Sequence, residues 1–117
     1  DGAVSIQAGS TAVGNLACLA AVYQTVKTAF PVVHPYELSI PSFGLTWGFI
    51  LASKRHDPFH MPIGYVDYEV EKRVGVPLRD YDGIAHAGRF RLQKNVRTAL
   101  EQEKTIIEDD KPFSTYS

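Results

Sequence analysis

VVHPYELSIPSFGLTWGFILAS, residues 32–53, decides the architecture. Within it, Tyr36, Leu38 and Ile40 alternate with Glu37 and Ser39, the pattern of a half-buried strand, and Pro35 near its start suits an irregular beginning or a sheet edge. Trp47 to Ser53 is almost wholly apolar and has the length of a strand buried on both faces, while Pro41, Ser42 and Gly44 supply a turn. The two strands are expected to form a hairpin. Upstream, Ala3-Val4-Ser5-Ile6-Gln7 reads as a strand closed by Gly9-Ser10. Leu16, Leu19, Tyr23, Val26 and Phe30 then recur at helical spacing, with Asn15 as the expected N-cap and Pro31 barring continuation. In the order strand, helix, strand, strand, a helix can cross over between parallel strands, and the short last connection makes the final strand antiparallel. Three strands with so few charges leave apolar faces and an unpaired edge, so the rest of the sheet is expected from elsewhere.

Composition changes after this stretch. Of 12 Lys and Arg and 13 Asp and Glu, only Asp1, Lys27 and Glu37 precede Lys54. The chain therefore divides into residues 1–53, the interior-like end of an α/β domain, and residues 54–117, a charged C-terminal extension. Lys54 to Pro62 reads as a loop. From Tyr65 to Arg73 the periodicity fits a strand, through Val66, Tyr68 and Val70, and equally a helix ending at Gly75, through Val66, Val70 and Val74. Asp80-Tyr81-Asp82-Gly83 is turn chemistry, and Leu92, Val96, Ala99 and Leu100 mark a helix over about residues 92–103. The acidic stretch Glu108 to Asp110 and the final Ser-Thr-Tyr-Ser are expected to be exposed.

Several classes of function recede on composition. A net charge of -1 lacks the basic excess that phosphate backbones require, and the cluster Arg89, Arg91, Lys94 and Arg97 is followed at once by Glu101 and Glu103. No apolar run approaches the roughly 20 residues of a membrane span. The single cysteine, Cys18, permits no internal disulfide and no cysteine-rich metal site; among Ala17, Leu19 and Ala20 it reads as a small buried hydrophobe in a reducing, cytoplasmic protein. The chain opens Asp1-Gly2 without Met or a secretory segment, and is expected to be a fragment or a processed piece.

Motifs for common chemistries are incomplete. Gly9 to Gly14, GSTAVG, lies between strand and helix like a phosphate-cradling loop, but Asn15 and Leu16 stand where Lys and a hydroxyl are needed. Neither GxGxxG nor GxSxG occurs. His56 and His60 have helical metal-ligand spacing, yet Pro58 between them favours a loop, His34 and His86 stand alone, and no metal is assigned. Asp80 and Asp82, or Asp67, Glu69 and Glu71, read as solvated carboxylates beside Lys72, Arg73 and Arg79 rather than as acid/base pairs. The stretch Ile40 to Phe49, IPSFGLTWGF, differs because it sets Phe43 and Trp47 at a strand end, where open α/β sheets bind ligands. Such aromatics could attract an aliphatic cation, or simply cap the core.

Gln7-Ala8-Gly9-Ser10 after a strand, YQTVKTAFP (23–31), IPSFGLTWGFILASK (40–54), Tyr81-Asp82-Gly83, His86 and Phe90-Arg91-Leu92 resemble, in order, the C-terminal half of the polyamine aminopropyltransferases, the spermidine and thermospermine synthases. SFGLTWGFILAS with KNVRTALEQE resembles the thermospermine branch more. The resemblance implies the C-terminal part of a Rossmann-like, methyltransferase-type sheet ending in an antiparallel hairpin, followed by a helical C-terminal appendage. It implies transfer of an aminopropyl group from decarboxylated S-adenosylmethionine, as co-substrate and without a metal, to a di- or polyamine such as putrescine or spermidine. Gln7, Phe43 and Trp47 fall at acceptor-pocket positions; Phe43 stands where tyrosine is common, and Gln93 where proline is common. The family's catalytic carboxylates and donor loop lie N-terminal to the matching segment, so no catalytic residue is expected here and the isolated chain should be inactive. The missing N-terminal part and further copies of the chain are the expected protein partners, with no nucleic acid and no membrane. Two alternatives are a non-catalytic binding or scaffold module that retains the half-fold and a fragment of a methyltransferase-like enzyme.

Overall fold

A computed structural model describes residues 2–11, 16–40, 44–103 and 106–107. The element order is β1 (Ala3–Ser10), α1 (Leu16–Lys27), β2 (Val32–Ile40), β3 (Leu45–Ser53), a 3-10 turn (Pro58–His60), α2 (Ile63–Val74), α3 (Gly83–Arg89) and α4 (Lys94–Gln102). Asn15, Pro41, Ser42, Phe43 and the acidic stretch from Glu108 lie outside the described residues.

The expected hairpin forms, with Tyr36 opposite Phe49 and Leu38 opposite Trp47. β3 also pairs antiparallel with β1, giving the order β1-β3-β2. The strands joined by the crossover helix α1 thus run parallel to each other with β3 inserted between them. Among the described residues β2 is an edge, as Pro35 suggests, because a residue without an N–H is tolerated where no neighbour needs a donor. Among the described residues nothing pairs with the outer edge of β1.

The two sheet faces have different cover. On one, Ala8, Val33, Ile50 and Ala52 pack with Leu19, Ala20 and Tyr23 of α1. Gly48 allows this close approach, since a Cβ there would sit 2.9 Å from a Leu19 methyl and 3.2 Å from the Gly9 carbonyl oxygen. The same apolar cluster continues across residue 53 into Leu92, Val96 and Leu100. There Gln24 donates to the Leu100 carbonyl at 2.7 Å, and the Tyr23 hydroxyl reaches the Glu101 carboxylate at 3.4 Å. The opposite face carries His34, Tyr36 and Phe49, closed by Phe59 of the 3-10 turn and by Phe90 just past α3.

Three boundaries differ from the sequence reading, and one stretch that its periodicity left open is resolved. α1 stops at Lys27, and the amides of Ala29 and Phe30 turn back onto the Val26 carbonyl before Pro31. The ambiguous stretch 65–73 is helical: Gly75 takes φ 80° and its N–H caps the Glu71 carbonyl, a left-handed helix end that a strand does not use. Inside the expected loop 54–62, Asp57 caps a 3-10 turn. The turn at Asp80 to Gly83 leads into an unexpected helix, α3, whose start is fixed when the Asp82 carboxylate accepts from Ala85 N–H at 2.8 Å. Cys18 is half-buried rather than fully buried, and burial raises its thiol pKa.

α3 is held against α2 by the Gly83 N–H, which donates to Asp67 at 2.7 Å, and by contact so close that a Cβ on Gly83 would collide with the Ile63 carbonyl. Gly83→Ala should therefore destabilise the chain by about 1–3 kcal/mol. Gly64→Ala, whose Cβ meets open space, should stabilise α2 by up to about 1 kcal/mol. Urea unfolding checks both, and equal midpoints would show that α2 and α3 pack loosely. Burial, then the charge of Glu101 and its hydrogen bond, raise the Tyr23 phenol pKa. The fold favours the neutral phenol, so this stability is complete below the ordinary tyrosine pKa and declines as pH rises through the folded value. Tyr23→Phe should flatten that alkaline decline in a pH series of thermal melts.

Candidate functional site

β1 and β3 set the site geometry through a bulge. Register is regular from Ala3 to Gln7, then shifts so that Ser10 faces Trp47. Gly9 absorbs the extra residue at φ 95°, a left-handed conformation that a side chain would resist. The Thr11 N–H and hydroxyl then both donate to the Thr46 carbonyl, at 3.2 and 3.3 Å.

Side-chain alternation puts Gln7, opposite Phe49, on the same face as Phe49, Trp47, Tyr36 and Leu38. Gln7 is exposed and Trp47 half-buried. The structure thus brings together two of the three expected acceptor residues; the third, Phe43, lies outside the described residues. Between them is an aromatic floor that the sequence reading missed. Tyr36 stacks on Phe49 with ring centres 5.2 Å apart and planes within 15°, and its hydroxyl shares a 2.7 Å hydrogen bond with Ser5. The alternation of Tyr36 with Leu38 was the available signal, but only the register shows that these rings meet Gln7 and Trp47.

Leu38 also lines an open cleft of about 780 Å³. Glu37, Ser39 and Thr46 form its sheet side, and Asp80, Ala85, Gly88 and Arg89 face them. Glu37 is paired with Gly48, so its side chain alternates to the face opposite Tyr36 and Leu38, and Asp80 is the acidic residue on the helical side of the cleft. The guanidinium there is already engaged: Arg89 donates to the Asp80 carbonyl at 3.0 Å and lies over the Tyr81 ring at 5.0 Å. Cation attraction by ring faces and by the Asp80 carboxylate is therefore available side by side.

A buried imidazole supports this wall. His86 Nε2 lies 2.6 Å from the Pro58 carbonyl, which can only accept, so Nε2 carries the proton and Nδ1 accepts from the Tyr81 hydroxyl at 2.8 Å. Burial raises the Tyr81 phenol pKa, partly offset by Arg89. The rings run on from Tyr81 through His86 and Phe90 to Tyr36. Elsewhere, Asp67 serves the α3 N-terminus and Glu69 pairs with Arg73 at 2.6 Å, both structural roles. His60 lies with Asp57 and His34.

No family model matches the chain. Curated relatives do. It is 36% identical over 101 residues to a polyamine aminopropyltransferase of Sulfolobus acidocaldarius, covering 86% of this chain and 33% of that protein. It is 29% identical over 89 residues to a thermospermine synthase of Arabidopsis thaliana, covering 76% of this chain and 26% of the relative. The chain thus spans about a third or less of the length of these relatives. Two spermidine synthase crystal structures share its fold with TM-scores of 0.70. One is from Thermotoga maritima, at 21% identity over 88% of this chain and 35% of that one. The other holds the transition-state analogue AdoDATO, at 22% identity over 88% and 34%. The fold is therefore the methyltransferase-like α/β type.

Long-range nitrogen NMR should find His86 as the Nε2–H tautomer. Tyr81→Phe, which strands the buried Nδ1, should cost about 1–3 kcal/mol in chemical unfolding. An Nδ1–H signal in the parent chain would remove this hydrogen-bond assignment.

Proposed function

We propose, from the premise that this chain matches the C-terminal half of the polyamine aminopropyltransferases, that it forms the acceptor wall of an enzyme moving an aminopropyl group from decarboxylated S-adenosylmethionine to a di- or polyamine. The observation that carries this reading is the convergence of Gln7, Trp47, Tyr36 and Phe49 on one sheet face beside a cleft lined by Asp80. A polyamine is a string of ammonium groups joined by methylenes. The rings contact the methylenes and attract the charges, the Asp80 carboxylate holds a distal ammonium, and the Gln7 amide oxygen accepts a hydrogen bond from an amine. Phe43 is proposed to supply shape and a ring face at the same pocket, without a hydroxyl.

In the reaction, the lone pair of a neutral amine attacks a carbon next to the sulfonium. The C–N bond forms as the C–S bond breaks, the thioether leaves, and the new ammonium gives its proton to a carboxylate. This chain's share is alignment and retention of the acceptor. The donor loop and the proton-accepting carboxylate are proposed to come from the part of the enzyme outside these residues, which joins the sheet at β1. Homo-oligomeric assembly and a reducing, cytoplasmic setting, consistent with the lone Cys18, complete the proposal.

The isolated chain, given decarboxylated S-adenosylmethionine with putrescine or spermidine, should show no turnover; product formation would mean that it holds catalytic groups of its own. In the complete enzyme, Gln7→Ala and Trp47→Ala should each lower acceptor kcat/KM about tenfold, as expected for losing one charged hydrogen bond or one ring-cation contact, with donor binding unchanged. Unaltered acceptor kinetics in both variants would take these residues out of the pocket.

A further inference from the structure

His34 of β2 and the 3-10 turn converge on one carboxylate. Asp57 Oδ1 lies 2.9 Å from His34 Nε2 and its Oδ2 lies 2.8 Å from His60 Nδ1. All three ligating atoms fall within 4.8 Å of one another. We propose that His34, Asp57 and His60 bind one divalent transition-metal ion of the zinc type, independently of the acceptor pocket.

The donor set fits that ion. Two imidazole nitrogens and a carboxylate oxygen are an established three-ligand zinc set, in which water completes a tetrahedron. With metal–ligand distances of about 2.0–2.1 Å, tetrahedral donors stand about 3.3 Å apart. The widest spacing therefore needs a closure of up to about 1.5 Å, which the His60 side chain, 70% exposed, has the freedom to make. Its exposure also gives the ion and its water a way in. The other two ligands are held in advance. Asp57 Oδ1 accepts the Phe59 N–H at 3.1 Å, and Pro58 lies in the turn that sets the spacing to His60. The His34 ring stacks on Phe59 at 5.2 Å and meets the edge of Phe90 at 6.4 Å. With no metal, each imidazole directs a ring nitrogen at the same carboxylate; an ion at that focus takes the place of the bridging protons. His34 lies on the sheet face of Tyr36, one step further from Trp47 along β2, so the ion would clip the segment after β3 to the β2 edge.

Zn²⁺ titration of the full chain by calorimetry, with Co²⁺ as a spectroscopic probe, tests this. One ion per chain and the visible bands of tetrahedral cobalt are expected. Affinity should fall at least about tenfold in His60→Ala and in Asp57→Asn, whose amide oxygen can still cap the turn, and should be unchanged in His56→Ala. No binding, equal affinity in His60→Ala and the parent, or an equal loss in His56→Ala would overturn the proposal and leave the three residues as an ion-paired cluster only. His60→Ala decides even if Asp57→Asn unfolds, because the His60 side chain is too exposed to support the core.

Discussion

Everything in the fold depends on Leu45–Ser53 being hydrogen-bonded along both edges. A strand in that position cannot slip by one residue against either neighbour, because a slip would turn Ile50 and Ala52 out of the core and bring Phe49 and Leu51 in. Its register fixes the other two strands. Through them it fixes which residues face α1 and which face the 3-10 turn and α3. The Gly48 contact with Leu19 adds a steric lock: the helix approaches closely only where no Cβ stands in its way.

The two faces of that strand separate the packed interior from the proposed acceptor wall. Ile50, Ala52 and Gly48 look toward a dry interior shared with α1 and α4, where each change is felt as a cavity or a clash. Trp47 and Phe49 look the other way, onto a floor of rings with polar groups at its rim. Residues adjacent in sequence thus carry unrelated tasks. The C-terminal helices serve both faces: α4 completes the interior through Val96 and Leu100, joined by Leu92 just before it, and α3 leads to Phe90, with Asp80 and Arg89 across the cleft.

The strands and α1 were legible because period-two and period-3.6 patterns are local and are bounded by Pro and Gly. Sheet order was not, since nothing local states that β3 lies between β1 and β2. α2 was ambiguous because Val66, Val70 and Val74 suit both periods; the left-handed cap at Gly75 settled it. α3 escaped notice because Gly83 and Gly88 are weak helix formers and Ile84, 70% exposed, gives no buried stripe. Asp82 and the tie to Asp67 stabilise it instead. Gln7 was singled out through resemblance and Trp47 first through its place at a strand end, whereas Tyr36, Phe49 and Asp80 depend on pairings across the chain. His34 read as a lone histidine because its partners lie on a different element.

The edges of the sheet are unlike one another. Pro35 removes a donor from β2, while β1 keeps its full set with exposed Ala3, Val4 and Ser5 beside it. Growth of the sheet by strand addition is therefore directional: β1 is a socket and β2 a terminus. With the remainder of the proposed enzyme seated in that socket, the edge left to a further strand is the one that Pro35 interrupts, a local guard against edge-to-edge stacking.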